Sequence, residues 1–174
     1  MTRAATVDDL RIGPWGARFM GRGFACSHGR KGIGATKQEG DWITPEGRYR
    51  LLWVYYRADR RALPHTAVPV RPLGPQQGWS EAPEDPAYNA PVCHPHDFPA
   101  DRMARGDCLY DLCVVTDQNI ARTPGKGSAI FVHVWRKPRH PTAGCVAFRA
   151  RDLDWILKRW KPWSRLVITA RGGL

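Results

Sequence analysis

Two residues in the last third of the chain could act as a nucleophile and its base. The segment "GSAIFVHVWRKPRHPTAGCVAF" (127–148) places His133 at the end of an apolar run and Cys145 behind a turn of small residues. A thiol that attacks an amide needs a base, donors for the oxyanion and room for the substrate. Ala143 and Gly144 have little bulk, so the backbone N–H groups beside the sulfur could approach a carbonyl oxygen. The residue types and spacing permit cysteine acyl transfer, but by themselves they fit two ordinary residues of a packed sheet equally well.

His140 is a second candidate base, five residues before the cysteine. It stands between Arg139 and Pro141 in a predicted loop, and neighbouring cations lower the basicity of an imidazole. We therefore favour His133.

Two other motifs suggest alternative sites. Zinc-ligand side chains occur at Cys93, His94, His96, Asp97, Cys108 and Cys113. Their spacing fits no standard zinc site. The segment Gly32-x-Gly34 lacks the third glycine, the Lys-Ser pair and the following helix of a phosphate-binding loop. We therefore expect neither a metal nor an organic cofactor.

The elements that must position these residues are mainly strands. β-branched and aromatic residues predict strands over residues 47–58, 108–119, 128–135 and 165–170. Residues 150–160 repeat apolar side chains at i, i+3, i+4 and i+7, which predicts a helix that Pro162 ends. The expected fold is a mainly-β sandwich or barrel with one late helix and long loops, in a single domain spanning 1–174.

Residues 62–100 hold nine of the fifteen prolines, too many for a helix or a central strand. We expect a loop region there, ordered because Trp79, Tyr88 and Phe98 can pack on the domain.

The formal charge of +11 favours anionic partners, such as acidic envelope polymers or substrates rich in carboxylates. Lys and Arg are scattered, so no nucleic-acid-binding tail is indicated. The sequence has neither an 18-residue apolar segment nor the apolar stretch of a signal peptide, so we expect no membrane span and no visible export signal. Five cysteines leave at least one unpaired, and we expect most to be buried free thiols.

Two blocks of the sequence together resemble a known family. Residues 32–51, "GIGATKQEGDWITPEGRYRL", and the later segment 127–148 are similar to the YkuD-type L,D-transpeptidases of peptidoglycan synthesis. The pattern of that family is K-x-E-G-D-x-x-T-P-x-G-x-Y, then a histidine, then [ST]-x-G-C. The matching residues are Lys37, Glu39, Gly40, Asp41, Thr44, Pro45 and Gly47, then His133, Thr142, Gly144 and Cys145. The resemblance runs from about residue 22 to 170 and implies an L,D-transpeptidase-like sandwich or barrel.

The resemblance also implies roles. Cys145 would be the nucleophile and His133 its base, with the other ring nitrogen oriented by a backbone carbonyl. The N–H groups of Gly144 and Cys145 would hold the oxyanion. The Thr142 hydroxyl would position His133 or the acyl group.

The chain departs from the family pattern at two positions. Ala143 stands where relatives often have His, and Ala147 stands where they often have Arg. We expect Arg149 or Arg151 to replace the missing cation.

Further substrate contacts are expected from three residues. Arg136 lies in the loop between base and nucleophile, where it could attract carboxylates. Tyr88 and His94, both in the proline-rich region, are expected to contact the substrate, with His94 at the rim of the cleft.

The implied reaction joins two peptidoglycan stem peptides. Cys145 would attack the carbonyl of an L-centre, release a D-amino acid and leave a thioester, which an amine of a second stem would resolve. Water in place of the amine would give an L,D-carboxypeptidase, and a basic cell-wall-binding module without catalysis is the other alternative. We expect a monomer, and the resemblance implies a bacterial periplasm or cell wall.

Overall fold

The computed structural model describes residues 4–171, whose regular structure is fifteen short strands and one helix. In chain order the elements are β1 (Leu10–Gly13), β2 (Gly16–Phe19), β3 (Arg22–Phe24), β4 (Ile33–Gly34), β5 (Thr44–Pro45), β6 (Gly47–Tyr49), β7 (Leu51–Tyr56), β8 (Val70–Pro72), β9 (Gln77–Ser80), β10 (Pro91–Cys93), β11 (Ala100–Arg102), β12 (Leu112–Thr116), β13 (Phe131–Val134), β14 (Val146–Phe148), α1 (Ala150–Arg159) and β15 (Leu166–Ile168). The mainly-β prediction with one late helix is confirmed.

The first five-stranded sheet has the order β3-β2-β1-β15-β6. Strands β1 to β3 form an antiparallel meander, and β15 pairs in parallel with β1 and antiparallel with β6. The sheet therefore joins the early and late parts of the described chain.

The second five-stranded sheet has the order β14-β13-β12-β7-β8 and carries the candidate nucleophile and base at one edge. Strands β7, β12 and β13 are antiparallel, whereas β14 lies parallel to β13. Parallel neighbours cannot be joined by a tight hairpin, so residues 135–145 form a longer connection. Within residues 4–171 neither sheet closes into a barrel, so the sandwich form of the prediction is the one observed.

The main core lies between these two sheets and α1. The helix buries Leu153, Ile156 and Leu157, as its periodicity predicts. Val132 and Val134 of β13 face this core. Because alternate residues of a strand point to opposite faces, Phe131 and His133 point away from it.

The proline-rich region covers the other face of the second sheet. It was expected to be a loop, but β8, β9 and β10 lie within it, and β9 pairs with β10 and β11 in a three-stranded sheet. Pro72 ends β8 and Pro91 begins β10, positions where a missing backbone N–H does least harm. Trp79 of β9 packs edge-on against Phe131, with ring centroids 4.9 Å apart, in a second, smaller core.

The single strand predicted for residues 47–58 is two strands in different sheets. Between β6 and β7, both the backbone N–H and the Nε of Arg50 donate to Asp117. The chain crosses from one layer of the sandwich to the other at this residue. Over residues 4–171 no helix has the length and apolarity that crossing a membrane requires.

Candidate active site

His133 and Cys145 line one cleft because β13 and β14 are parallel neighbours. His133 lies opposite Ala147 in the register, and Cys145 precedes Ala147 by two residues. All three side chains therefore point to the same face of the sheet. His133 is 4% exposed, and Cys145 is half-buried.

The Cys145 thiol is held by backbone groups of the neighbouring segment. Its Sγ–H donates to the Ala129 carbonyl at 3.0 Å, and Sγ accepts the Phe131 N–H at 3.4 Å. Burial raises the pKa of the thiol to about 12, and the Phe131 N–H offsets only part of this effect. The resting form of Cys145 is therefore the thiol, and attack by its sulfur would require a base to remove the proton.

A backbone carbonyl orients the His133 ring. Its Nδ1 lies 2.7 Å from the Val134 carbonyl, an acceptor, so Nδ1 carries the proton and Nε2 presents a lone pair. Tyr110 packs edge-on against the ring with centroids 5.4 Å apart. Burial lowers the pKa of His133 to about 4, although the Val134 carbonyl favours the cation. At neutral pH the imidazole is uncharged and able to accept a proton.

The thiol and the imidazole share the cleft without a direct hydrogen bond, since none of the bonds among residues 4–171 joins them. Catalytic hydrogen bonds often shorten only when substrate is bound. The orientation of His133 by a backbone carbonyl matches the expectation, and no carboxylate replaces that carbonyl.

The turn before Cys145 requires a glycine. Gly144 has φ +154°, and a Cβ there would lie 2.9 Å from the Ile43 carbonyl oxygen. Thr44 donates its hydroxyl to the Gly144 carbonyl at 2.7 Å and accepts the Gly29 N–H at 2.8 Å. The two motif blocks, a hundred residues apart in the chain, are thus joined at the turn before Cys145.

One of the two N–H groups expected to hold the oxyanion is already hydrogen-bonded to Thr142. The Gly144 N–H donates to Thr142 Oγ1 at 3.1 Å, and that hydroxyl donates to the Cys145 carbonyl at 2.6 Å. Thr142 therefore shapes the turn and does not hydrogen-bond to His133. Among residues 4–171 no acceptor takes the N–H of Ala143 or Cys145, so these two groups are the free donors beside the sulfur.

The first motif block supplies a cation under this turn. Lys37, whose side chain is 7% exposed, forms an ion pair with Asp41. Burial opposes ionisation of Asp41, but hydrogen bonds from Lys37, Ile43 N–H and Gln38 N–H outweigh it and lower the pKa of the carboxyl. Asp41 thus both neutralises Lys37 and closes its own loop.

One side of Cys145 opens into a cleft of about 330 Å³, called the basic cleft. Its lining includes the cations of Arg30, Arg105 and Arg136, together with the His140 ring, and His133 lies in its wall. Arg105 is bound by both oxygens of Asp107. Arg30 stacks over the Trp42 ring, with its guanidinium carbon 4.8 Å from the ring centroid.

The other side of Cys145 opens into a cleft of about 340 Å³, called the acidic cleft. Its carboxyl groups are Glu39, Glu81 and Asp101, and its cation is Lys37. Four residues line both clefts and form the wall between them: Trp42, Tyr110, Ala143 and Cys145.

Of the three arginines predicted to contact the substrate, one lines a cleft and two do not. Arg136 lines the basic cleft with a half-exposed side chain. Arg149 precedes α1 and Arg151 lies in its first turn; both are exposed, and neither lines the basic or the acidic cleft. The chain turns away from the cleft where β14 ends, so proximity in sequence to Cys145 does not bring these arginines near it. Arg30 lines the same cleft as Ala147.

The predicted contacts from the proline-rich region lie outside both clefts. Tyr88 is 2% exposed and donates its hydroxyl to Glu39, so it supports the acidic cleft from behind. His94 lies against Gly78, and its buried Nε2 has no hydrogen-bond partner in the described part of the chain.

The other candidate ligands do not assemble. In the described range, 4–171, no group of three or more His, Cys, Asp or Glu side chains could hold a metal ion. Cys113 is buried, whereas Cys93 and Cys108 are exposed. His140, the alternative base, lines the basic cleft together with Cys145.

Several residues of the two clefts were missed by sequence reasoning, namely Arg30, Glu81, Asp101, Arg105 and Tyr110. Tyr110 and Asp101 are joined by a hydrogen bond of 2.6 Å from the tyrosine hydroxyl. No spacing rule predicts such contacts, because they arise where the three-stranded sheet meets the second five-stranded sheet.

Comparison with known proteins places these features in a family. The family model described as YkuD, the L,D-transpeptidase catalytic domain, matches residues 17–168. No curated protein and no solved structure matches the chain.

Proposed function

Because the chain belongs to the YkuD family of L,D-transpeptidase catalytic domains, we propose that it transfers the acyl group of a peptidoglycan stem peptide through a thioester on Cys145. The observation that carries this proposal is the placement of one thiol between two clefts, beside an oriented neutral imidazole. An enzyme that joins two substrates needs such a nucleophile, open to both.

Acylation begins with the neutral pair. As Sγ attacks the carbonyl carbon of the L-centre, its proton passes to Nε2 of His133, and the carbonyl oxygen becomes an oxyanion. The unused N–H groups of Ala143 and Cys145 support this charge, since both lie beside the sulfur. His133 then gives its proton to the leaving amine, and a D-amino acid departs.

The donor stem lies in the basic cleft in this proposal. The carboxylates of a stem are matched by Arg30 and Arg136, because neither is held there by a close carboxylate: Arg136 lies 3.9 Å from Asp107, and Arg30 stacks on Trp42. Arg30 thereby takes the place that Ala147 leaves without a cation.

The thioester is resolved by an amine of a second stem, which forms a cross-link. Water in the same position would give an L,D-carboxypeptidase, so the products decide between these activities. Stem peptides are the only partners that the proposal requires.

Mass spectrometry of stem tetrapeptides incubated with the purified protein tests the proposal. We expect release of the terminal D-amino acid, a transient acyl adduct on Cys145 and cross-linked dimers. The folded Cys145→Ala variant is the matched control and should give none of these. Wild-type protein that neither releases the D-amino acid nor forms an adduct would contradict the proposal and favour a binding module.

A further inference from the structure

The outer face of the first five-stranded sheet carries two arginines side by side. Leu10 and Ile12 of β1 are buried in the main core, so Arg11 between them points to the opposite face. Arg18 of β2 lies directly opposite Arg11 in the register and points the same way. Like charges directly opposite each other destabilise an antiparallel pair, so this arrangement does not serve the stability of the sheet. The surface around Arg11 and Arg18 is called the basic sheet face.

No carboxylate neutralises these two arginines. Arg18 is exposed and Arg11 partly exposed, and within residues 4–171 neither side chain forms an ion pair or a hydrogen bond. Arg48 of β6 belongs to the same row of the sheet, where it pairs with Asp9 at 2.9 Å. The Asp9 side chain is fully buried and engaged by Arg48. The charges of Arg11 and Arg18 are therefore presented to whatever approaches the face.

Exposed apolar side chains flank the same strands at both ends. Trp15 lies in the turn between β1 and β2. Val7 precedes β1 and Trp163 precedes β15, and these two strands start together because they pair in parallel. Trp163 also donates its Nε1–H to Asp8 at 3.0 Å. Each of the three apolar side chains is more than half exposed, and they are half of the six large hydrophobic residues exposed within residues 4–171. Apolar surface is thus concentrated around the two arginines.

From this combination we propose that the basic sheet face docks on the surface of a bilayer that contains anionic lipids. Guanidinium groups match the phosphate oxygens of lipid head groups. Tryptophan side chains are enriched at the boundary between head groups and acyl chains, where the ring is apolar and its N–H stays wet. A water-soluble anionic polymer would account for Arg11 and Arg18 but offers no apolar phase to Val7. The bilayer surface accounts for both the charge and the apolar flanks.

Docking through this face leaves both clefts open. Arg11 and Arg18 point away from the main core on the first sheet, whereas His133 and Cys145 point away from it on the second. The basic sheet face and the clefts therefore lie on opposite sides of the sandwich. The inference does not depend on the proposed acyl transfer, so membrane binding and turnover can be measured separately.

Co-sedimentation with vesicles tests the proposal, with thermal melting to verify that each variant is folded. The wild-type protein should bind vesicles of phosphatidylcholine and phosphatidylglycerol in equal parts, and should bind phosphatidylcholine vesicles at least about tenfold more weakly. Arg11→Gln with Arg18→Gln should weaken binding to the mixed vesicles at least about tenfold, since each arginine at an anionic surface contributes about fivefold. The matched control, Arg149→Gln with Arg151→Gln, removes the same charge from exposed positions at α1 and should change binding less than about twofold.

A second measurement reports on the apolar contacts and uses no arginine variant. Phosphatidylcholine with brominated acyl chains quenches the fluorescence of tryptophans that reach the acyl region. In the mixed vesicles it should quench the wild-type protein and quench Trp15→Ser with Trp163→Ser less. Equal quenching of these two proteins, equal loss of binding in the two arginine double variants, or absent or equal binding to the two vesicle types would overturn the inference. Tighter binding to soluble polygalacturonate than to the mixed vesicles would also overturn it, because it would assign the face to an acidic polymer.

Discussion

The basic cleft and the acidic cleft meet at one sulfur atom but are built from different parts of the chain. The basic cleft takes Arg136 and His140 from the connection between β13 and β14, whereas the acidic cleft takes Glu39 from the first motif block and Glu81 and Asp101 from the proline-rich region and β11. Tyr110 stands between them and contacts the His133 ring. The difference teaches that the Cys145 sulfur can be approached from two sides that differ in charge.

The largest effect is expected when Cys145, which lines both clefts, is blocked or replaced. β-Lactams of the carbapenem type should form one covalent adduct with the wild-type protein, on Cys145, because their strained amide can acylate a nucleophilic thiol. Cys145→Ala should give no adduct and no turnover with stems of either cleft, since the acyl acceptor atom is gone. Intact-protein and peptide mass spectrometry measure the adduct. An adduct that maps to Cys93 or Cys108, the exposed thiols, would show that the two clefts do not converge on the nucleophile.

Replacing His133, the proposed base, should have the next largest effect. His133→Ala should lower acylation by on the order of 10²–10⁴-fold, the usual contribution of a general base. His140→Ala should cost less than about tenfold, because its ring lines only the basic cleft and lacks the backbone orientation that Val134 gives His133. The assay is release of the D-amino acid, with thermal melting to verify folding. Near-normal rates in His133→Ala beside an inactive His140→Ala would reverse the assignment.

The pH dependence of acylation should follow the neutral state of the pair. The pKa of His133 is lowered to about 4, so kcat/KM should hold down to about pH 5 and fall tenfold per unit below about pH 4, as the imidazole takes up a proton and can no longer accept one. Since the pKa of Cys145 is raised to about 12, no rise from thiolate formation should occur between about pH 7 and 10. Donor hydrolysis is the assay, measured over the range in which melting shows the protein folded. An acid limb at about pH 6.5 would mean that the imidazole is solvated.

The smallest effect tests the charge of the basic cleft alone. Arg30→Ala and Arg136→Ala should each raise KM for the donor about fivefold, as expected for exposed ion pairs, and leave the preference among acceptors unchanged. Arg149→Ala and Arg151→Ala are matched controls on α1 and at its start, and they should have no effect. Donor kinetics in Arg149→Ala or Arg151→Ala as weak as in Arg30→Ala would restore the sequence-based expectation that these residues replace the missing cation.

Much of the local geometry around His133 and Cys145 could be predicted from residue types and order. Only a glycine fits position 144, so the small-residue turn before Cys145 could be predicted locally. The alternation of side chains along a strand likewise places His133 on one face of β13. The helix could be predicted because its apolar residues repeat with the 3.6-residue period of an α-helix. That period can be recognised within a short segment of the chain. The division of residues 47–58 into two strands of different sheets could not be predicted. The chain crosses between the layers at Arg50, which is bound by Asp117, a residue distant in sequence.

The charge of the two clefts was decided by the tertiary structure. Arg30 precedes Cys145 by more than a hundred residues and reaches its cleft because Gly29 pairs with Thr142 in the assembled sandwich. Glu81 and Asp101 lie close together because β9 and β11 pair. The high proline content of residues 62–100 had predicted a loop there and no such pairing. Even the Gly144 N–H, adjacent to the nucleophile, is taken by a threonine hydroxyl whose rotamer no sequence rule fixes. Local sequence determines what a residue can do, whereas the packing of distant segments determines which groups it meets, since hydrogen bonds and charge interactions act through space and not along the chain.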